Sequence, residues 1–543
     1  MKTENSNNVV MTVDHANLMS GLRKSFTNKT TVIAELMQNA RRAGASFVKF
    51  SYTAEDNQLM IVDDGKGIES YDALLSVAKS GWDSDVAKIE HPFGIGFLSA
   101  LFACSSIYVL SRAGCLDAKT ESILAFEPQT IVTENFVEGS TMIVLHDIKL
   151  SIDEIEATIK RCAMGFPMPV FFNEVEQPRP HALDSKTFSF ETEAIGHISV
   201  SGLERGAVTN QIKVYLQGLP VYQDNFWRDG ETFGNVVHLD SGQFFARLPD
   251  RDKLIDEVDT VKRIRASVRV LIESQLLIVK QFSLSEAFLE QYELMKTWGL
   301  LALLNDVSLL PYQALAYVEG SANTNTEYFD QFMATDSSKR VTREAIGQGL
   351  TKIMSIDDDV SDDGTAAYAF IEIKGWPVLV ESALDRGHWV FNHLNVISQD
   401  NIQIEMISPA HTAAFQGEWV WVDVHFCESI QLTWQNETIE LTADSIFTGH
   451  AGTNSVLMPH QATGNSVLES VASYMDDYEF QRAVYEIDTE HFHRFLIANR
   501  CEEPVEALKQ MLPKHFSGLK NLFDRAFTIK INGQGEIECI AEA

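Results

Sequence analysis

The sequence predicts an α+β protein whose helices and strands segregate into layers, and three observations carry this prediction. Apolar residues recur at helical spacing from Asn17 to Ala43, which is typical of two consecutive amphipathic helices. Short β-rich runs follow at Phe47–Tyr52 and Leu59–Val62, without the regular strand and helix alternation of a doubly wound sheet. Hydrophobic residues make up 45% and charged residues 22% of the chain, and this ordinary balance excludes disordered and collagen-like proteins.

The remaining elements of this first unit follow from the same patterns. They are a helix around Tyr71–Lys79, a helix opened by the glycines of HPFGIGFLSALFA, strands at Ile107–Ser111, Ser122–Phe126 and Thr141–His146, and a helix at about Ile152–Met164. Phe166-Pro167-Met168-Pro169 then ends this last helix, because proline cannot continue a helix.

Further units are expected downstream. A second α/β unit runs from about Val170 to Lys280, with the strand-like IKVYLQGLPVYQ and a long helix near Asp259–Lys280. The last stretch mixes strands such as Trp419–His425 with helices such as Val505–Met511. The expected domains are an N-terminal α/β sandwich at 1–165, an α/β middle domain at 166–290, a linking α+β region at 291–400 and a C-terminal α+β domain at 401–543.

The charge of the chain limits its partners. Its 543 residues include 76 acidic and 43 basic side chains, giving a formal net charge of −33. This charge opposes attraction to nucleic acid and to anionic lipid, so protein partners are favoured and no membrane partner is expected. The six cysteines lie far apart without a CxxC pair, and neither a signal peptide nor a long apolar run is apparent. We therefore expect a cytoplasmic protein.

Two residues of ELMQNA are spaced to share one helix face. Glu35 and Asn39 lie four residues apart, so a carboxylate and a carboxamide project about one turn from each other. A carboxylate can orient and deprotonate water, and an amide oxygen can ligate Mg²⁺. Taken alone, such a pair is more often part of an ordinary surface helix.

Two glycine-containing segments add further polar groups. Asp63 ends a strand, where its carboxylate can accept a hydrogen bond from an exocyclic amine, while Gly65 and Gly67 let the backbone approach a flat base. Gly94 and Gly96 in FGIGF open a helix whose free N–H groups can bind phosphate. In isolation, a solvated tight turn and close packing are the simpler explanations.

The order of these segments is more specific than any one of them. ExxxN on a helix, DxGxG after a strand, FGxGF opening a helix and Gly139-Ser140 entering a strand together resemble the GHKL superfamily of ATPases, which has the Bergerat nucleotide-binding fold. Within it, TNKTTVIAELMQNA, the AKSG at Ala78–Gly81, FGIGFLSA and GSTMIVLH look most like the ninety-kilodalton heat-shock chaperones. The resemblance covers roughly residues 15–150.

The resemblance implies ATP and Mg²⁺ as ligands and a role for individual residues. Glu35 would be the general base, Asn39 the Mg²⁺ ligand and Asp63 the group that recognises the adenine amine. Ser140 would support Asp63 through water, and Gly67 would pack against the base. The other implied nucleotide contacts are Gly65, Lys79, Ser80 and the phosphate loop Phe93, Gly94, Ile95, Gly96 and Phe97, beside a mobile lid over about 69–92.

The second unit also resembles the chaperones. LPDRDKLIDEVDTVKRIRASVRVLI is similar to the segment that supplies a catalytic arginine to the γ-phosphate, and Arg251 is the matching position, with Arg247 as the alternative. A guanidinium can hold a phosphate bidentately. Two positions depart from the family pattern: His91 stands where the first glycine of GxxGxG is usual, and Arg42 stands where an acidic residue is common.

The expected function is an ATP-driven conformational clamp that forms a homodimer and acts on protein clients or partners. Three alternatives stay open. One is a MutL-like or MORC-like clamp associated with nucleic acid in prokaryotic or phage repair or defence, which the NxxxAGA spacing favours. The others are a histidine or anti-sigma kinase, and a nucleotide-binding scaffold with little turnover. Glu35 one turn before Asn39 favours hydrolysis over transfer to a protein.

Overall fold

The structure of the chain, a computed structural model, forms two compact units, one ending at Leu300 and the other beginning at Leu301. The residues that it describes are 14–77, 96–133, 140–185, 190–203, 207–224, 234–247, 249–319, 333–356, 365–450, 453–462, 464, 468, 471–472, 474–476, 479–501, 503–513, 516–534 and 536–543.

The described part of the first unit begins with an eight-stranded sheet. Its strands are β1 (Val48–Thr53), β2 (Gln58–Asp63), β3 (Ser106–Ser111), β4 (Gly114–Lys119), β5 (Ile131–Val132), β6 (Thr141–His146), β7 (Val170–Phe172) and β8 (Val175–Glu176). Their spatial order is β5-β4-β3-β6-β2-β1-β7-β8. Strand β2 runs antiparallel to β1 and to β6, so Asp63 at its end lies opposite Val48 on one side and Thr141 on the other.

Helices complete this layer and bury one side against a shared apolar core. They are α1 (His15–Ser25), α2 (Thr31–Arg42), α3 (Tyr71–Leu75), α4 (Leu98–Ala103), α5 (Thr120–Leu124) and α6 (Ile152–Ala163). In α2, Val32, Ile33, Leu36, Met37 and Ala40 belong to this core, because positions three to four residues apart lie on one side of a helix. The adjoining face of α2 is left for polar residues.

A second sheet and a long helix follow in the same unit. The strands are β9 (Phe190–Thr192), β10 (Gly196–Ser199), β11 (Ile212–Leu216), β12 (Leu219–Gln223) and β13 (Asn235–Leu239), in the spatial order β12-β11-β13-β10-β9. The helices after them are α7 (Glu257–Phe282), α8 (Ser285–Leu289) and α9 (Tyr292–Thr297). Gln38 of α2 donates a hydrogen bond to the carbonyl oxygen of Gln217 at 3.0 Å, which joins the turn between β11 and β12 to the first layer.

The second unit combines several smaller sheets among its described residues. A five-stranded sheet contains β14 (Leu315–Val318), β15 (Met333–Ala334), β16 (Ile353–Ile356), β17 (Val378–Leu379) and β18 (Leu394–Ile397). The later strands are β19 (Gln403–Ile407), β20 (Thr412–Gln416), β21 (Trp421–Cys427), β22 (Ser429–Trp434), β23 (Glu437–Leu441), β24 (Ile446–His450), β25 (Thr453–Pro459), β26 (Met475–Asp476), β27 (Glu479–Phe480), β28 (Phe527–Ile531) and β29 (Ile537–Glu542). Its helices are α10 (Arg343–Gly347), α11 (Thr365–Lys374), α12 (Arg482–Arg500) and α13 (Pro504–Met511).

A buried carboxylate organises one corner of this unit. Asp488 of α12 accepts hydrogen bonds from the backbone N–H of Glu418 at 2.5 Å, from that of Trp419 at 3.0 Å and from the Tyr474 hydroxyl at 3.1 Å. Because each donor approaches a carboxylate oxygen, the buried charge is compensated. Asp488 therefore fixes the turn that precedes β21.

The α+β class predicted from the sequence is confirmed, but one early element is wrong. The segment Ser122–Phe126, predicted as a strand, lies mostly in helix α5. Ile123 and Leu124 are neighbours in sequence and both pack against the core, which a helix permits and a strand with one buried face does not. The predicted IKVYLQGLPVYQ strand is a hairpin of β11 and β12, which turns at Gly218 with φ +81°.

The described cysteines form no disulfide, and the described helices are too short or too polar to cross a membrane. Cys104, Cys115, Cys162 and Cys427 are free and buried. Within the described ranges, no helix combines the length and the apolar character that a bilayer crossing requires.

Candidate functional site

Helix α2 presents a row of residues along one face. Thr31, Glu35, Asn39 and Ala43 follow each other at intervals of four residues, so they lie about one turn apart. Thr31 and Glu35 are buried, and Asn39 is partly exposed. The face therefore carries a hydroxyl, a carboxylate and a carboxamide in order, and the other segments of the site attach to it.

The Glu35 carboxylate is a meeting point of three segments. It is 4% exposed, and its Oε1 lies 3.0 Å from Nε of Arg251. A Cβ added at Gly96 would collide with Oε2 of Glu35, so the backbone at Gly96 lies directly against this carboxylate. The residue proposed as a base, the end of the proposed phosphate loop and the proposed catalytic arginine are thus brought together.

Arg251 contacts Glu35 in an ion pair that lacks an aligned hydrogen bond. Its Nε is buried and has no hydrogen-bond partner among the described residues, although Glu35 is close. A buried N–H group without a partner is unfavourable, so this donor is available to an anion that approaches in line with it. The other candidate arginine, Arg247, closes the loop through its backbone, which donates to the carbonyl oxygen of Lys253 at 2.8 Å.

Asp63 at the end of β2 is a buried carboxylate that accepts few hydrogen bonds from the described residues. It is 8% exposed, and its Oδ1 accepts a hydrogen bond from the N–H of Gly65 at 3.0 Å. Burial raises the pKa of Asp63 from 3.8 to about 6, the Gly65 hydrogen bond opposes this rise, and the neighbouring Asp64 adds to it. A ligand that donates a hydrogen bond here would stabilise the charged form.

The turn after Asp63 is fixed to the C-terminal end of α2. The N–H of Lys66 donates to the carbonyl oxygen of Ala43 at 3.0 Å, and a Cβ added at Gly65 would lie only 2.5 Å from Cβ of Ala43. Gly67 adopts φ +79°, a conformation that favours glycine. The turn is therefore held one helical turn beyond Asn39, on the helix that also carries Glu35.

Two hydroxyl groups near Asp63 escaped the sequence analysis. Thr141 is the register partner of Asp63 in β6, and its Oγ1 lies 3.0 Å from Oγ of Ser111. The Ser111 hydroxyl also accepts a hydrogen bond from the N–H of Ile68 at 2.8 Å and lies 3.3 Å from the carbonyl oxygen of Ser140. Ser140, which the sequence singled out, contributes its backbone here. The pairing of the strand TMIVLH with β2 would have indicated Thr141.

Several predicted nucleotide contacts are not described. Lys79, Ser80, Phe93, Gly94 and Ile95 lie outside the described residues, as does His91.

Two other positions that the sequence analysis named are described. Phe97 precedes α4 and packs in the core. Arg42 is buried at the end of α2 rather than displayed on the surface.

The described residues fit a nucleotide with Mg²⁺. Arg251 offers a buried N–H group to a phosphate oxygen, Asp63 accepts only part of what a carboxylate can accept, and the Asn39 amide is partly exposed. The described residues contain no group of three His, Cys, Asp or Glu side chains that could hold a metal alone. Mg²⁺ would therefore depend on Asn39 together with phosphate oxygens.

The comparison with known families agrees with this geometry. Residues 27–153 match the family model described as "Histidine kinase-, DNA gyrase B-, and HSP90-like ATPase", a stretch that contains Glu35, Asn39, Asp63 and Gly96. No curated protein matches the chain. The family match does not distinguish the heat-shock chaperone branch from the others. Together with the α+β fold, it supports the assignment of residues 27–153 to the GHKL superfamily of ATPases.

Proposed function

We propose that the protein is an ATP-binding and ATP-hydrolysing conformational clamp of the type to which the heat-shock chaperones belong. The observation that carries this proposal is the meeting at Glu35, where Gly96 and Arg251 contact the same buried carboxylate. Asn39 lies one helical turn further along, and the Asp63 turn packs at the end of the same helix.

Adenine recognition is assigned to Asp63. Its carboxylate accepts one described hydrogen bond and retains acceptor capacity for an exocyclic amine. Gly65 packs against Ala43 and Gly67 against Ser111 and Arg112, which holds the turn beside Asp63, and the hydroxyl pair of Ser111 and Thr141 is adjacent to the end of β2. This combination favours a purine with an amino group over one with a carbonyl at that position.

Hydrolysis is assigned to Glu35, Asn39 and Arg251. The Glu35 carboxylate accepts a proton from the water that attacks the terminal phosphorus, and the Arg251 guanidinium offsets negative charge on the phosphate oxygens. Bound Mg²⁺, held by Asn39 and phosphate oxygens, would supply further charge stabilisation. Because Arg251 contacts Glu35 at 3.0 Å in the structure, the guanidinium has to leave the carboxylate before the base acts.

The clamp action follows from where these residues are attached. Arg251 belongs to the loop between β13 and α7, whereas Glu35 belongs to α2 of the first layer. A phosphate group that takes Arg251 from Glu35 changes the contact between the two layers. Nucleotide binding would therefore change how often the first layer and the sheet of β9–β13 with helix α7 adopt each of their relative positions.

A protein client or partner, including a second copy of the chain, is favoured over nucleic acid. In the β28 and β29 hairpin, Phe527, Ile531, Ile537 and Ile540 are 43%, 52%, 60% and 60% exposed. Exposed apolar clusters are typical of protein interaction sites, and the net charge of −33 disfavours nucleic acid. A nucleic-acid-associated clamp would instead bind DNA with steep salt dependence.

A nucleotide-binding scaffold with little turnover is the second candidate. The ion pair between Arg251 and Glu35 favours it, because the guanidinium occupies the carboxylate oxygen that an attacking water would have to approach. Such a protein would bind ATP and release phosphate far more slowly than an active clamp. Phosphate release from stoichiometric ATP distinguishes the two candidates.

Calorimetric titration with ATP tests the proposed site. Wild-type protein should bind saturably, and Asp63→Asn should bind about 10 to 100 times more weakly, because it loses a charge-assisted hydrogen bond of about 1.5–3 kcal/mol. Asp240→Asn is the matched control, since that carboxylate bonds to Gly242 and Gln243 within its own turn. Equal affinities of wild type and Asp63→Asn would contradict the adenine assignment.

A further inference from the structure

A carboxylate beside Arg251 ties its loop to helix α2. Oδ2 of Asp250 accepts hydrogen bonds from the N–H of Thr27 at 3.0 Å and from the Thr27 hydroxyl. Oδ1 of Asp250 accepts a hydrogen bond from the Thr31 hydroxyl at 2.8 Å. Asp250 is 8% exposed, so these charge-assisted bonds are shielded from water. The loop is thus anchored at the start of α2, one helical turn before Glu35.

The backbone of the loop does not favour this arrangement by itself. Arg251 adopts φ +53°, which is unfavourable for a residue with a side chain. Its N–H donates to the carbonyl oxygen of Arg247 at 2.9 Å, so the loop closes tightly just where the strained residue lies. Such a conformation persists when surrounding contacts determine it, and the hydrogen bonds of Asp250 link this loop to α2 beside the ion pair of Arg251 with Glu35.

The anchor determines what Arg251 can reach. Thr31 and Glu35 are four residues apart on α2, and Asp250 and Arg251 are consecutive in the loop, so two adjacent loop residues meet two successive turns of one helix face. Arg251 contacts Glu35 without an aligned hydrogen bond, which leaves its Nε–H for another acceptor. The guanidinium therefore lies beside the proposed base and keeps one N–H group without a hydrogen bond.

We propose that Asp250 is a positioning residue, which anchors the Arg251 loop on Thr27 and Thr31 so that the guanidinium pairs with Glu35 in the absence of nucleotide and transfers to a phosphate group when one is bound. This inference rests on the proposed function and adds the group that sets the place of Arg251. Asp250 touches neither water nor phosphate in this scheme. It acts through Arg251 alone.

Turnover in a double-mutant cycle tests whether Asp250 acts through Arg251. Asp250→Asn and Thr31→Val should each lower kcat by about 10 to 100 times and raise the KM for ATP by no more than about tenfold, which is the part that a lost contact with the terminal phosphate accounts for. Thr31→Ser, which keeps the hydroxyl, should recover most of both losses. In an Arg251→Ala background, Asp250→Asn should add less than about a twofold loss. The control Asp240→Asn should match wild type.

A binding measurement gives the same test without turnover. The ratio of the affinity for a non-hydrolysable ATP analogue to that for ADP reports contacts with the terminal phosphate. Arg251→Ala and Asp250→Asn should each reduce this ratio by about tenfold, and the double variant should reduce it no further. Where Asp250→Asn does not fold, Thr31→Val takes its place in the cycle.

The outcomes separate the inference from the proposed function. Losses that multiply in the double variant, or an unchanged affinity ratio in Asp250→Asn and Thr31→Val, would overturn the positioning role while wild-type turnover stands. A wild-type protein that binds no ATP would overturn the proposed function and the inference with it. Equal kcat values for wild type and Thr31→Val would also overturn the inference.

Discussion

The raised pKa of Asp63 predicts that ATP binding weakens in mild acid. The adenine amine donates to a carboxylate, so protonation of Asp63 removes the acceptor. With a pKa of about 6, the carboxylate is mostly ionised at neutral pH, but only about one tenth of it is ionised at pH 5. The affinity should therefore fall about tenfold between pH 7.5 and pH 5 through this group alone.

Calorimetry in two buffers of different ionisation enthalpy measures this linkage directly. At pH 6 about half of the Asp63 carboxyls are protonated, so ATP binding should release about half a proton from this residue. The nucleotide phosphates also titrate, and Asp63→Asn is the control because its amide does not ionise. The difference between the two proteins isolates Asp63. If both show the same pH dependence and the same proton release, the carboxylate is not the adenine acceptor.

Three further predictions concern Asp63 without nucleotide, Gly96 and Asp488. Without nucleotide, Asp63→Asn should raise the free energy of unfolding by up to about 3 kcal/mol at pH 7.5 and by less than about 1 kcal/mol at pH 4. A carboxyl group with a raised pKa contributes stability below pH 3.8, and this stability is lost as the pH rises through about 6. Denaturant titrations in which the difference between the two proteins does not change with pH would contradict this. Gly96→Ala should lower the steady-state rate of ATP turnover at least about tenfold, because its Cβ would displace the Glu35 carboxylate. A Cβ at Gly21 meets open space, so Gly21→Ala should keep the wild-type rate, and equal rates for the two variants would contradict the prediction. Asp488→Asn should destabilise the protein by about 2–3 kcal/mol through weaker acceptance of three hydrogen bonds, and an unchanged unfolding midpoint would refute the role given to that carboxylate.

The parts of the site that depend on local chain geometry could be predicted from the sequence. Glu35 and Asn39 share a helix face because their spacing matches the helix period, and the apolar positions around them predict that helix. Asp63 lies at a strand end because the glycines of DDGKG interrupt the β-rich run that precedes it. These features need only a few consecutive residues.

The parts that depend on distant contacts could not be predicted. Thr27 and Asp250 are 223 positions apart, and no local pattern indicates that they are bonded. The same applies to the ion pair of Arg251 with Glu35, since the sequence indicates an arginine for phosphate but not its resting partner. The pKa of Asp63 depends on how deeply the fold buries it.

The one wrong element shows how short segments mislead. Ser122–Phe126 has too few residues to separate a helical from a strand period, and its apolar residues suit either. Tertiary contacts of Thr120 favour the helix, because its hydroxyl donates to the carbonyl oxygens of Cys104 and Ser105 at 3.1 Å each. These bonds fix the start of α5.

Phosphate release from stoichiometric ATP by wild type and Glu35→Gln, with ATP binding measured on the same samples, tests the central claim most directly. We expect both proteins to bind ATP and the variant to release phosphate about 10² to 10⁴ times more slowly, because an amide cannot take a proton from water. Release at the wild-type rate by Glu35→Gln would show that the carboxylate on α2 is not the base.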